Sequence, residues 1–355
     1  MGVRRAVPVV ALACALLAGC TEQATPQTAP ADTPSPSRSS GPTATPTEAP
    51  SATDVEAELP PVPDPLSLPA LMREEPRGGD LRRVREQPVD APYRRFEVTY
   101  AVDDAQVSGI LLVPDGRGRR PAVVLAHGYI EPSIYVTGQG LAREQDRLAR
   151  EGFVVLHADY RGHAASDPVA DLPRETRLAY TRDVAAAVLA LRELPQVDPD
   201  RVALLGRSMG GAVVYNVLVA HPGLVDAAVV YAPVSSRFAD NVERWTEPGR
   251  PEAVQRLTDR FGPRGESAAD DPEAWAALSA RTYADRITEP VLIHHGTLDD
   301  SCPIRWSRAT QRAFRTAGVD SRLVVYEGEQ HAFGPQWDAS MQRTVRFLRT
   351  RLDGA

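Results

Sequence analysis

Val202-Ala203-Leu204-Leu205-Gly206-Arg207-Ser208-Met209-Gly210-Gly211-Ala212-Val213-Val214-Tyr215-Asn216-Val217-Leu218 is the stretch that decides how this chain reads. Four apolar residues form a short buried strand, a serine follows between two glycines, and a helical run leads away. A strand that turns this sharply into a helix pushes its serine hydroxyl out at the end of the sheet. Side chains two residues before and two after the serine would collide in such a turn, and both positions are glycine. The pattern G-x-S-x-G in this context predicts an exposed nucleophile at Ser208.

Outward from this point, apolar runs and helical stretches alternate. Strands are expected at 96–102, 107–113, 122–126, 153–158, 202–205, 227–231, 291–294 and 322–326, with Asp103-Asp104-Ala105-Gln106 as a hairpin turn between the first two. Helices are expected at about 140–150, 175–194, 209–220, 304–316 and 337–351. An antiparallel start followed by regular β-α alternation implies an α/β fold, with a mostly parallel eight-stranded sheet and helices on both faces. The rhythm breaks at about 234–287, after the sixth expected strand. This insertion, with Trp245, Trp275 and Asp270-Asp271, is expected to cap the site.

The whole chain sets bounds. A formal net charge of −7 over 355 residues argues against a nucleic-acid partner. All 40 basic residues are Arg, so lysine Schiff bases, P-loop lysines and Ser-Lys dyads are excluded. H-E-x-x-H and C-x-x-C are absent, and no cofactor or metal is expected.

Residues 1–19 read as an export signal: Arg4 and Arg5, then an apolar stretch to Ala18 too short to span a membrane comfortably. Its end, Leu17-Ala18-Gly19-Cys20, resembles the lipobox of bacterial lipoproteins. That resemblance implies cleavage before Cys20, lipidation of Cys20, and a protein held at the outer face of the cell membrane. Cys14 would leave with the signal, so Cys302 is the one thiol expected in the folded domain. Residues 20–80, Thr/Pro/Ser-rich at first, are expected to be a disordered linker, with order beginning between Leu81 and Tyr93 and a domain spanning 81–355.

A serine hydroxyl needs a base, and the base needs a third group to orient it. Triads built on this elbow run in the order Ser, then Asp or Glu, then His. Past His221, which ends the elbow helix, lie His294, His295 and His331. His294 and His295 precede the acid candidates, which leaves His331 in the loop after the last strand. Asp299 and Asp300 both lie just past the strand 291–294, where open α/β sheets place functional groups, and either serves on chemistry alone.

His295-Gly296-Thr297-Leu298-Asp299-Asp300-Ser301-Cys302-Pro303 resembles the HGxxDxxVP segment of the prolyl oligopeptidase and dienelactone hydrolase-like branches of the α/β-hydrolases. Val197-Asp198-Pro199-Asp200-Arg201 and Asp159-Tyr160-Arg161-Gly162-His163 match the same branches, and the resemblance covers about 96–348. It implies an α/β-hydrolase fold with Asp299 as the triad acid. Cys302 stands where the pattern has valine, and is read as a packing residue. The fold's usual oxyanion donors map to the backbone N–H groups of Met209 and of Tyr129 in His127-Gly128-Tyr129. His127 is read as a brace for that loop, and Arg207 as a partner for a nearby carboxylate.

The expected function is hydrolysis of carboxylic ester or other acyl bonds through Ser208, His331 and Asp299. A prolyl oligopeptidase-like peptidase is the alternative, since both use this machinery. The Pro-rich N-terminal segment leaves no room for the β-propeller of larger relatives, which favours a small ester over a short peptide as substrate. A non-catalytic binding protein on this scaffold would be expected to lack a triad member, and none is missing.

Overall fold

A computed structural model describes residues 59–353. Its strands are β1 (Gly79–Gln87), β2 (Tyr93–Val102), β3 (Ala105–Pro114), β4 (Arg120–Ala126), β5 (Val154–Ala158), β6 (Val197–Arg207), β7 (Ala227–Tyr231), β8 (Val291–Gly296) and β9 (Ser321–Tyr326). They form one open sheet in the order β1-β2-β3-β5-β4-β6-β7-β8-β9. The first three strands and the β3–β5 pair are antiparallel, and every pair from β5 to β9 is parallel.

The helices are α1 (Leu68–Leu71), α2 (Ala142–Arg150), α3 (Asp171–Glu175), α4 (Leu178–Arg192), α5 (Met209–Ala220), α6 (Phe238–Asn241), α7 (Pro251–Phe261), α8 (Glu273–Ala276), α9 (Ile304–Thr316) and α10 (Trp337–Leu352). None is long and apolar enough to cross a membrane.

Continuous apolar runs make the central strands because both faces are covered. Side chains alternate across a strand, so each run feeds two cores. Ala122, Val124 and Ala126 of β4 join Val202 and Leu204 of β6 in the core shared with α4 and α5. Val123, Leu125, Ala203 and Leu205 point the other way, toward Leu148 of α2 and Met341, Val345 and Leu348 of α10. The first core is the larger, and α5 is buried along almost its whole length within it.

Three expectations are corrected. The sheet has nine strands rather than eight: β1 precedes the expected set and pairs with β2. It is an arginine-bearing edge strand, exposed over most of its length, so it lacks the apolar alternation that marks a strand in sequence. The hairpin turn is only Asp103-Asp104, with Asp103 at φ 52° and Ala105 already paired to Val102. Tight two-residue turns match the twist of the flanking strands, which draws Ala105 and Gln106 into β3.

Third, the linker does not extend to residue 80, nor does the domain begin at 81. Ser67 caps α1 by accepting from the Ala70 N–H at 3.3 Å, and the Leu68 N–H donates to the Ala277 carbonyl at 2.9 Å. Leu68, Leu71 and Met72 are buried in the larger core. Three apolar side chains on a short segment suffice to dock it, although its Pro-rich composition hides them. The signal at 1–19, Cys20 and the linker to residue 58 lie outside the described residues.

The insertion after β7 carries α6, a π-turn at Val242–Thr246, α7, α8 and a 3₁₀ segment at Ala280–Arg286. Trp275 anchors it, with Phe238 and Phe261 at ring-centroid distances of 5.8 and 6.4 Å. The buried Arg237 grips Asp271 through two nitrogens at 2.7 Å and Asp240 through a third at 2.7 Å.

Candidate active site

The chain leaves β4 toward β5 on one side and returns to β6 on the other. The loops above these strands therefore part and leave a crevice, where open α/β sheets bind ligands. His127-Gly128-Tyr129 follows β4, and Ser208 follows β6.

Ser208 joins β6 to α5 with φ 57° and ψ −121°. A non-glycine residue in that region is strained, and the surroundings hold it there. Its N–H donates to the Tyr231 carbonyl at 3.0 Å, and its carbonyl accepts from Gly211 at 3.0 Å and Val234 at 3.2 Å. The flanking glycines are steric necessities: a methyl group at Gly206 would strike the Gly210 carbonyl, and one at Gly210 would strike the Ala126 carbonyl.

A cavity of about 460 Å³ opens over the serine. Ser208, His331, Tyr129 and Met209 all line it. The insertion supplies much of the opposite wall, including Phe238, Val242, Trp245 and Arg250. Side chains from Val234 to Ala280 thus share this cavity with the serine.

His331 lies in the loop between β9 and α10, and its Nδ1 is 2.9 Å from Asp299 Oδ2. Asp299 follows β8 and is buried, while Asp300 is exposed. The other Asp299 oxygen accepts from the N–H groups of Ser301 at 3.0 Å and Cys302 at 2.8 Å. Burial by itself would raise the Asp299 pKa. Hydrogen bonds from His295, His331 and the Cys302 amide overcome that and hold the carboxyl well below the usual range. Asp299 is therefore ionised, and His331 presents Nδ1–H to it. In the neutral ring, Nε2 then carries the lone pair.

The Ser208 hydroxyl does not bond His331 in this structure. It meets Cys302 Sγ at 3.9 Å. Cys302 is fully buried, and burial followed by the charge of Asp299 pushes its thiol up to about 12. It is a packed, protonated thiol against Val234 and Trp306, not a nucleophile.

Two residues that line the cavity have a backbone amide without an acceptor. Met209 N–H is at the first position of α5, and neither it nor Tyr129 N–H donates a hydrogen bond among the described residues. The Tyr129 hydroxyl is engaged elsewhere, donating to Glu131 at 2.6 Å. His127 braces the loop, with Nδ1 2.6 Å from the Gly128 carbonyl and Nε2 3.2 Å from that of Asp159. Its ring stacks on Tyr135 at 4.7 Å, and burial followed by the nearby His163 lowers its pKa to about 4. Arg207 faces Glu144 at 3.9 Å, too long for more than a weak pair.

Sequence reasoning missed the residues that hold the loops carrying Asp299 and His331. His295 sits beneath Asp299, its Nε2 3.2 Å from Asp299 Oδ2 and 2.7 Å from the Cys302 carbonyl. Buried Glu329 staples the His331 loop, accepting from Gly334 N–H at 2.6 Å and from Gln336 N–H. Its backbone carbonyl also takes the Leu298 N–H at 2.9 Å, tying this loop to the one that carries Asp299. Arg143 of α2 donates to the Ala332 carbonyl at 2.8 Å. The only signal for Glu329 in sequence was an acid two residues before His331.

The model of the prolyl oligopeptidase family matches residues 140–354. Among curated proteins, the acylamino-acid-releasing enzyme of Rattus norvegicus is 26% identical over 275 residues, covering 74% of this chain and 36% of the relative. The chain thus spans about a third of that relative's length. Among solved structures, acetyl xylan esterase 1 from Thermoanaerobacterium sp. superposes with a TM-score of 0.57 at 20% identity, over 81% of this chain and 95% of that one. A puromycin-hydrolyzing peptidase of Mycobacterium tuberculosis gives 0.56 at 20% identity, over 74% and 45%. These two likenesses show the α/β-hydrolase fold. By the extent of the family match, the chain belongs to the prolyl oligopeptidase family of serine hydrolases.

Proposed function

We propose that the protein hydrolyses small carboxylic esters or related acyl compounds, with Ser208 as nucleophile, His331 as base and Asp299 as its orienting acid. The observation that carries this reading is Ser208, strained at the elbow and lining one cavity with His331, whose Nδ1 is bound to buried Asp299. The Ser208 hydroxyl turns from Cys302 toward Nε2 of His331 when substrate binds, a tightening common in unliganded sites. Oγ attacks the acyl carbon as its proton passes to Nε2. The N–H groups of Met209 and Tyr129 receive the negative oxygen. Collapse expels the alcohol, which takes the proton from His331. Water then repeats the sequence on the acyl-enzyme.

Fluorophosphonate labelling tests the reading. Wild-type protein should label covalently and Ser208→Ala should not. Failure of a well-folded wild type to label would leave a non-catalytic binding protein as the better account.

The second reading is a peptidase. It is favoured by the family match and by a relative named for releasing acylamino acids. Rates on p-nitrophenyl esters of graded length beside acylaminoacyl and Gly-Pro anilides separate the two. Faster turnover of an anilide than of every ester would favour the peptidase.

We also propose export and lipid anchoring at Cys20, on the residues Leu17-Ala18-Gly19-Cys20. Several acyl chains anchor stably where one does not. Cys20→Ala should move the protein out of the membrane fraction. Its retention there would overturn the anchor.

A further inference from the structure

Three arginines line the cavity over Ser208, namely Arg177, Arg207 and Arg250, against one carboxylate, Glu175. That is a cationic chamber in a protein whose formal net charge is −7. Glu175 does not neutralise it, because its carboxylate is already gripped by Arg256 of α7. Glu131, next in the chain after the lining residue Ile130, is held by the Tyr129 hydroxyl at 2.6 Å. Arg207 faces Glu144 at long range. Arg177 and Arg250 make no ion pair among the described residues, whereas most of the arginines around them are paired.

The two cations come from different elements. Arg177 stands between α3 and α4 and Arg250 on the insertion, just before α7. Arg177 is at φ 66°, a left-handed conformation disfavoured for a long side chain, and this kink divides the helix expected at 175–194. One of its nitrogens donates to the Arg174 carbonyl at 3.0 Å and its guanidinium lies 5.7 Å from the Tyr180 ring. These contacts orient the fork but leave donors toward the cavity. Arg250 reaches only Thr246 Oγ1, at 3.5 Å. Burial lowers the Arg177 pKa, and the neighbouring Arg250 charge acts in the same direction. Two like charges lining one cavity repel. A bound anion relieves that repulsion and satisfies both planar forks.

We propose that Arg177 and Arg250 form the specificity site of the cavity, and that the substrate carries a carboxylate which they bind while Ser208 attacks its acyl carbon. The proposal rests on the hydrolase reading for the attack, but not for the binding. A half-ester of a dicarboxylic acid puts the charge on the acyl side. An acylated hydroxy acid puts it on the leaving side. Either is compatible with a chamber of about 460 Å³, the size of a small-molecule site.

The test uses Ser208→Ala, which binds without turning substrate over, and titration calorimetry. Monomethyl glutarate is compared with dimethyl glutarate, and 5-acetoxypentanoate with its methyl ester. In at least one pair the acid should bind about tenfold more tightly than the neutral ester. Adding Arg177→Gln or Arg250→Gln should remove that preference, while Arg177→Lys, with charge but no fork, should keep part of it. The two Gln variants sit on different elements, so a folding failure in one leaves the other informative. Equal binding of acid and ester in both pairs overturns the proposal. So does a preference that survives both Gln variants. Labelling of wild type by fluorophosphonate is scored separately: its failure alongside intact acid preference sinks the hydrolase reading and leaves the anion site standing.

Discussion

At Ser208 the backbone stores strain that its neighbours enforce. A residue in such a region costs roughly 1–3 kcal/mol, and three backbone hydrogen bonds, one to Tyr231 and two from Gly211 and Val234, hold it in place. Asp299 is the other residue whose state is set by its surroundings. Its carboxyl is held below the usual range by the donors around it. The folded-state pKa is thus below that of the unfolded chain, about 3.9. Its contribution to stability is fully present above that value and is lost as pH falls toward the folded one. Asp299→Asn should therefore melt lower than wild type at pH 7, with the gap narrowing as the pH is taken down through 4 toward 3. The same variant should lose about 10³–10⁴ in kcat, because a neutral amide no longer fixes His331 in the required tautomer. Melting curves against pH and ester kinetics check the two outcomes.

Among elements, the insertion after β7 has an unusual dependence on one polar side chain. Arg237 is nearly fully buried, and it ties Asp271 and Asp240 to the Gly265 carbonyl. Removing one member of a buried ion pair leaves its partners uncompensated, at a cost of about 3–5 kcal/mol. Arg237→Met should loosen the insertion while the sheet, whose cores do not involve Arg237, stays folded. Limited proteolysis should then cut within 262–272 before any loss of the far-UV circular dichroism signal. Simultaneous loss of both would mean that insertion and sheet unfold as one unit. Because Phe238 and Val242 line the cavity, KM should rise with the loosening.

For the whole molecule, the segment before the sheet matters more than its composition suggests. Leu68, Leu71 and Met72 pack into the larger core, and Asp64 and Glu74 pair with Arg260 and Arg182. Burying an apolar side chain of this size contributes about 1.5–3 kcal/mol. A protein lacking residues 59–78 should therefore be less stable by about 4.5–9 kcal/mol, three such side chains' worth, a loss read as a lowered midpoint in denaturant unfolding. An unchanged midpoint would show that the segment rests on the core without supporting it.

The elbow, the parallel strands and the order Ser, acid, His were legible because each is written in local chemistry. Glycine spacing dictates a sharp turn, and uninterrupted apolar runs dictate strands buried on both faces. Chain order singled out His331 without any coordinates, and the segment after His295 resembled a known pattern closely enough to favour Asp299 over Asp300. Strand β1 was invisible, since an exposed edge strand carries arginines and takes its pairing from β2 rather than from its own pattern. So was the docked segment around Leu68, whose few apolar side chains acquire meaning only once α5 and Ala277 are in place. The break at Arg177 and its meeting with Arg250 were equally hidden. Burial, counter-charge and left-handed backbone depend on what lies opposite in space, and residues 73 positions apart say nothing of one another until the chain has folded. Sequence by itself singled out the serine, base and acid proposed as the reaction machinery; only the tertiary structure decided the walls around them, because a wall is made of side chains brought together by packing from distant parts of the chain.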